Sequence, residues 1–246
     1  MLPTDTITTM RFLPTFSPAV VMGISISIAT GLYGISFGAL SVAAGLTVGQ
    51  TAALSLLMFT GGSQFAFIGV ISTGGSPAAA CGAATLLYLR NAIYGAQMKA
   101  LIAPKGIMKF IAAHVTIDES AGTASVQDTA EERNRGFWTA GVGVFVLWNV
   151  FTLVGALGGQ HIGDPAQWGL DGAAVAAFLG LLWPRLTQRS MRSVALVAAL
   201  ITVLVLPVTP TGVPIVLAAL VAGLWGWVVA VKAHSNNSLT RGETTP

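Results

Sequence analysis

The sequence predicts an all-α membrane protein with about seven transmembrane segments, and two observations carry that prediction. Apolar residues make up 54% of the chain and charged residues only 9%, where an ordinary soluble domain carries about 25% charged residues. The charges are also clustered, and Phe12 to Tyr88 contains no Lys, Arg, Asp or Glu. About 20 apolar residues, each rising roughly 1.5 Å along a helix, span the hydrocarbon core. That charge-free stretch therefore holds more than one crossing.

The apolar segments fall near 15–45, 51–73, 77–99, 136–158, 169–184, 193–208 and 212–231. They form one transmembrane domain over 1–246, with an N-terminal tail at 1–14 and a disordered C-terminal tail at 233–246. The first segment is too long for one straight crossing and is punctuated by Pro18, Gly23, Gly31, Gly34, Gly38 and Gly45. A broken helix is expected there, with its freed backbone groups facing protein or a wet cavity; one long tilted helix is the alternative. Gly34 and Gly38, like Gly155 and Gly159 in the fourth segment, lie four apart, which lets membrane helices approach closely. Gly31, Gly34, Gly38 and Gly155 are thus packing or hinge positions.

The second segment contains Gly61-Gly62-Ser63-Gln64-Phe65. Two glycines and an amide are unfavourable in a plain lipid-facing helix, and the amide of Gln64 needs partners. Gln64 either fastens helices together or meets a solute, with Gly61 and Gly62 as a hinge. The third segment carries Arg90, followed by Asn91, Tyr94, Gly95 and Gln97. Arg90 and Tyr94 are i and i+4 on one helix face. A cation at that depth must be paired or hydrated, and guanidinium grips a carboxylate through two parallel hydrogen bonds. Its partner is a carboxylate-bearing solute or an internal acid.

The only substantial polar region, 100–135, reads as a cytoplasmic connection. Its first part sets Ile107, Phe110 and Ile111 among Lys105, Lys109 and His114, an amphipathic pattern that lies on the membrane surface or re-enters it. Asp118 and Glu119 follow. They are candidates for a coupling site or an ion pair with Arg90 if buried, and otherwise a solvated pair or a helix start. Gln127 to Arg135 reads as a solvated linker.

Both candidate triplets of segments, one to three and four to six, open with a Gly-rich helix and continue with Gly-Leu, at Gly45-Leu46 and Gly169-Leu170. This pattern suggests inverted three-helix repeats, an arrangement that places a site near mid-membrane. Lys and Arg mark cytoplasmic loops, which puts 100–135 and Arg185, Arg189 and Arg192 inside. Seven crossings then put the N-terminus outside, against Arg11; a re-entrant first segment would reverse that.

Several classes fall away. The net charge of +3 comes from residues at segment ends, which act as topology determinants, so nucleic acid is not expected as a partner. Single Cys81 forms no intrachain disulfide. His114, His161 and His234 show no metal-ligand spacing, and there is no nucleophile elbow or P-loop. Neither enzyme activity, nor a metal, nor a cofactor is expected. No removable signal peptide is read at the N-terminus.

Taken in order, these motifs resemble those of the AzlC-type branched-chain amino acid permeases. Tyr33-Gly34 and Phe37-Gly38 resemble the family's first-span element, and Phe59-Thr60-Gly61-Gly62-Ser63-Gln64-Phe65 its Phe-Ala-Gly-x-x-Gln-Phe. Arg90, Tyr94 and Gly95 fall on its Asn-x-Arg-His-x-Leu-Tyr-Gly, with Tyr88 and Asn91 in place of Asn and His. Asp118-Glu119, then Trp148, Asn149, Thr152 and Gly155, and then Leu181-Leu182-Trp183-Pro184-Arg185 also correspond. The resemblance implies export of branched-chain or similar apolar amino acids through the inner membrane, alongside a small AzlD-type membrane partner. Gln64, Phe65, Arg90, Asn91 and Tyr94 are then expected to bind substrate. A non-transporting subunit or scaffold, or a channel for small neutral solutes, are the competing readings.

Overall fold

The computed structural model describes residues 17–162, 182–210 and 213–242, with Gln167, Gly169 and Leu179 as isolated positions. All regular structure among them is helical: α1 Pro18–Ala43, α2 Val48–Leu57, α3 Gly62–Ser72, α4 Pro77–Ile102, α5 Met108–His114, α6 Asp118–Ser125, α7 Ala130–Ile162, α8 Arg189–Val205 and α9 Val213–Gly242. The N-terminal tail and most of the segment expected at 169–184 lie outside the described residues. Helix α9 runs through Gly242, into the stretch read as a disordered tail.

Among the described residues, three helices are long and apolar enough to cross a membrane: Pro18–Ala43, Ala130–His161 and Arg189–Val208. Helix α4 has 26 residues, about 39 Å at the helical rise, but Arg90, Asn91 and Gln97 interrupt its apolar run. Both α1 and α4 start from a Ser-Pro pair. The Ser17 and Ser76 hydroxyls each accept from a first-turn N–H, at 3.3 and 3.2 Å, and the proline occupies a position that needs no donor.

The first segment is one continuous helix, so the expected break is corrected. Its glycines pack instead. Gly23, Gly31, Gly34 and Gly38 meet Thr139, Leu147, Trp148 and Thr152 of α7 in ascending order. That order makes α1 and α7 parallel neighbours in the most extensive helix contact among the described residues. The parallel pairing also corrects the repeat as cut in the sequence, because the opening helices of inverted triplets must run in opposite senses.

The break lies in the second segment. Helix α2 descends beside α7, where Ser55 donates to Thr152 at 3.4 Å. The chain then reverses through Met58–Gly61, and α3 climbs back, with Gln64 Nε2 donating to the Leu54 carbonyl at 3.1 Å. Gly61 sits at φ +62, a conformation open to glycine with little strain, which makes this tight reversal possible. Segment 51–73 is therefore a re-entrant hairpin and not a crossing. Helix α4 starts where α3 ends, and Val70 packs on Ala80 and Ala83.

The 100–135 region makes a second such hairpin from the opposite end, the re-entry that its amphipathic pattern allowed. Helix α5 climbs with Ala112 beside Met98 and Phe137, and Val115 lies against Gly141. Helix α6 then descends until Gln97 donates to Ser125 at 3.4 Å. The two tips meet in the interior. Phe59 and His114 have ring centroids 6.1 Å apart, and each packs on Phe145 of α7, at 5.1 and 5.4 Å. Helix α1 plus its hairpin and α4 plus its hairpin thus run in opposite senses.

With segment two not crossing, the start of α1 lies at the same end as the 99–135 lysines and arginines; Ala19 faces Gly136 there. The expectation of an N-terminus opposite that region is reversed. In a Cys81→Ser background, Ser17→Cys, Lys105→Cys and Asp128→Cys should react with an impermeant thiol reagent from one side, and Gln50→Cys from the other. Labelling of Gln50→Cys from the same side as Lys105→Cys and Asp128→Cys, with Ser17→Cys reacting from the other, would restore the crossing count read from the sequence.

Candidate functional site

Two groups of polar side chains lie at the hairpin tips, where broken helices leave backbone and side-chain groups away from lipid. One group fastens the second hairpin. Arg90 Nη2 lies 2.7 Å from Asp118 Oδ2, with side-chain exposures of 34% and 16%. Asn91 Nδ2 donates to the Thr116 carbonyl at 3.2 Å. Glu119 accepts from the Thr30 hydroxyl of α1 at 3.3 Å and makes no ion pair among the described residues. Tyr94 packs with Met98 and Phe137 at the base of this hairpin. Of the two partners that the sequence left open for Arg90, the internal acid is the one it holds. Asp118 and Glu119 open α6, so the helix-start reading of the pair is also correct, though at an interior tip and not in a solvated loop.

The other group surrounds the first tip. Phe37, Phe65 and Trp148 form an aromatic cluster, with Phe37 stacked on Trp148 at 5.9 Å and Phe65 edge-on to both, at 5.6 and 6.2 Å. Gly62 is buried in the first turn of α3. Gly61 lies beside Trp148, and a Cβ built there would sit 3.7 Å from the indole ring. Among the described residues, Thr60 Oγ1, Ser63 Oγ, Gln64 Oε1, Trp148 Nε1 and Asn149 Oδ1 are buried without a hydrogen-bond partner. Each such group costs about 1–3 kcal/mol, and native interiors keep few of them.

The structure divides the five residues expected to bind substrate between two tips that meet, with Ile117 of the second in one buried cluster with Phe65 and Trp148 of the first. Gln64 and Phe65 belong to the first tip, while Arg90, Asn91 and Tyr94 belong to the fastening of the second. Thr60 and Ser63 were not singled out in the sequence. Trp148 and Asn149 entered only through family motifs, although an indole and an amide in the middle of the apolar α7 were a visible signal. His114, read as part of a polar connection, is a tip residue in contact with aromatic rings. No group of three His, Cys, Asp or Glu residues among the described residues is arranged to hold a metal ion.

No curated protein and no solved structure matches the chain. A family model described as AzlC protein matches residues 25–162, which run from α1 through both hairpins to the end of α7. That is more than half of the sequence and includes every residue of both tip clusters, and the chain belongs to the AzlC family.

Proposed function

We propose that this chain is a secondary transporter that exports branched-chain or similar apolar amino acids across the cytoplasmic membrane, working with a small AzlD-type membrane protein. The observation that carries the reading is the meeting of two re-entrant hairpins of opposite sense at Phe145. Broken helices that end near mid-membrane are how secondary transporters expose backbone and polar side chains to a solute. The AzlC family is a transporter family rather than an enzyme family, which fits that use. In this reading the basic end, with Lys99, Lys105 and Lys109, faces the cytoplasm.

Coupling is assigned to Glu119 and structure to Asp118. Arg90 neutralises Asp118, whereas Glu119 accepts from the Thr30 hydroxyl and has no ion-pair partner among the described residues, which makes it the acid of the two available for coupling.

Proteoliposomes loaded with unlabelled leucine should take up labelled leucine by saturable counterflow, and addition of the small partner should increase it. Flux without saturation or counterflow would identify a channel instead. Unchanged amino-acid efflux from cells lacking the chain would identify a scaffold. Glu119→Gln should keep counterflow, which needs no net proton movement, while reducing proton-driven accumulation at least tenfold. Equal loss of both activities would assign Glu119 to structure.

A further inference from the structure

We propose that the carried amino acid binds at the start of α3, with Thr60, Ser63 and Trp148 holding its carboxylate and the Gln64 and Asn149 oxygens holding its ammonium. The inference rests on the transport reading above and moves the carboxylate site away from Arg90.

The free atoms at the first tip form a set with both kinds of hydrogen-bonding capacity. The Trp148 N–H and the Thr60 and Ser63 hydroxyls are donors without acceptors. No side chain caps α3, so the positive end of an 11-residue helix adds to them. The two amides supply the acceptors, and their orientation is fixed by what their nitrogens do. Gln64 Nε2 donates to the Leu54 carbonyl at 3.1 Å and Asn149 Nδ2 to the Phe145 carbonyl at 2.7 Å, which leaves the oxygens free. Donors for an anion, acceptors for a cation and an aromatic wall of Phe37, Phe65 and Trp148 together match an apolar α-amino acid in its zwitterionic form.

Burial separates this tip from the other. Ser63 and Gln64 are 0% exposed, Trp148 3% and Thr60 7%, so bulk solvent does not reach them. The second tip also holds unpartnered atoms, on Arg90, Asn91 and Asp118. Its opposite charges already neutralise each other, and a third of Arg90 is exposed. A substrate carboxylate at Arg90 would have to displace Asp118 and leave that acid unpaired.

The test compares leucine with leucinamide, which lacks the carboxylate, and with N-acetyl-leucine, which lacks the ammonium. Competition against labelled leucine in proteoliposomes gives the preferences. Unmodified protein should prefer leucine to either analogue by at least tenfold. Trp148→Phe, which keeps an aromatic ring, and Ser63→Ala should each reduce the leucine-to-leucinamide preference about tenfold and spare the other. Asn149→Leu should do the reverse. The double variant Arg90→Met/Asp118→Leu should keep both preferences. Tip variants that transport leucine with both preferences intact would overturn the site, as would collapse of the carboxylate preference in the double variant alone. Absence of leucine counterflow in the unmodified protein would overturn the transport reading itself.

Discussion

Replacing Arg90 alone, as Arg90→Met, or Asp118 alone, as Asp118→Leu, should destabilise the protein by on the order of 3 kcal/mol, while the double replacement should recover most of that loss. The asymmetry follows from the environment. Each partner offsets the cost of placing the other beside a mostly apolar interior, and removing one strands the survivor. Removing both leaves no charge to solvate. The cost stays towards the lower part of the range for buried pairs because Arg90 is one-third exposed. Thermal denaturation in detergent, followed by size-exclusion chromatography of the surviving fraction, reads the effect. A double variant whose loss equals the sum of the single losses would show that the pair contributes no coupling. Arg90→Lys should recover part of the stability, since an ammonium keeps the charge but not the planar fork.

This pair also shows how far the sequence could be read. A charge at position 90 inside an apolar segment demands a partner, and the two candidates were nameable because Asp118 and Glu119 are the only acids between Arg90 and Asp128. Which partner wins depends on where 100–135 folds. A short amphipathic stretch with lysines at its base has the same composition whether it lies on a membrane surface or dips into a protein. The contacts that decide are with Phe59, Gly141 and Phe145, each far away in sequence.

Crossing number failed for a related reason. Segment 51–73 has enough apolar residues to span a bilayer, and length cannot distinguish a crossing from a hairpin that returns. The informative feature was the adjacent pair Gly61-Gly62 just before Gln64. One glycine reverses the chain at positive φ and the next opens a new helix. Glycines spaced three or four apart in α1 carried the opposite meaning, since they lie along one face that meets another helix. Gly31, Gly34 and Gly38 are compatible in sequence with a break or with a packing face, and their contacts with α7 decide for packing; the hairpin at 51–73 then inverts the side of the N-terminus. A better signal for the repeat lay in Ser17-Pro18-Ala19 and Ser76-Pro77-Ala78, which start the two long helices of opposite sense.

The second large effect concerns that α1–α7 seam, where even a methyl group is too much. A Cβ on Gly155 would press on the Ile35 carbonyl, and its next contacts are Ile35 backbone atoms at 2.7 Å. A Cβ on Gly38 would press on the Thr152 carbonyl and lie 2.6 Å from the Ala156 nitrogen. Backbone atoms cannot swing aside as a side-chain end would, so the helices must separate along the contact that holds the molecule together. Overpacking of this kind costs about 1–3 kcal/mol, and contact with backbone places Gly38→Ala and Gly155→Ala at the upper end. At roughly 2–4 °C per kcal/mol for a chain of this size, each should lower the apparent melting temperature by about 5–10 °C. Gly69→Ala and Gly82→Ala are the controls, because a Cβ at either position meets nothing within 4 Å. They also remove backbone freedom in a helix, worth up to about 1 kcal/mol in favour of alanine, so their melting should stay level or rise. Equal losses at seam and control positions would mean that these glycines serve the helix itself. A loss confined to Gly38 and Gly155 would mean that they serve the contact, and would explain why α1 can carry so many glycines and still run unbroken from Pro18 to Ala43.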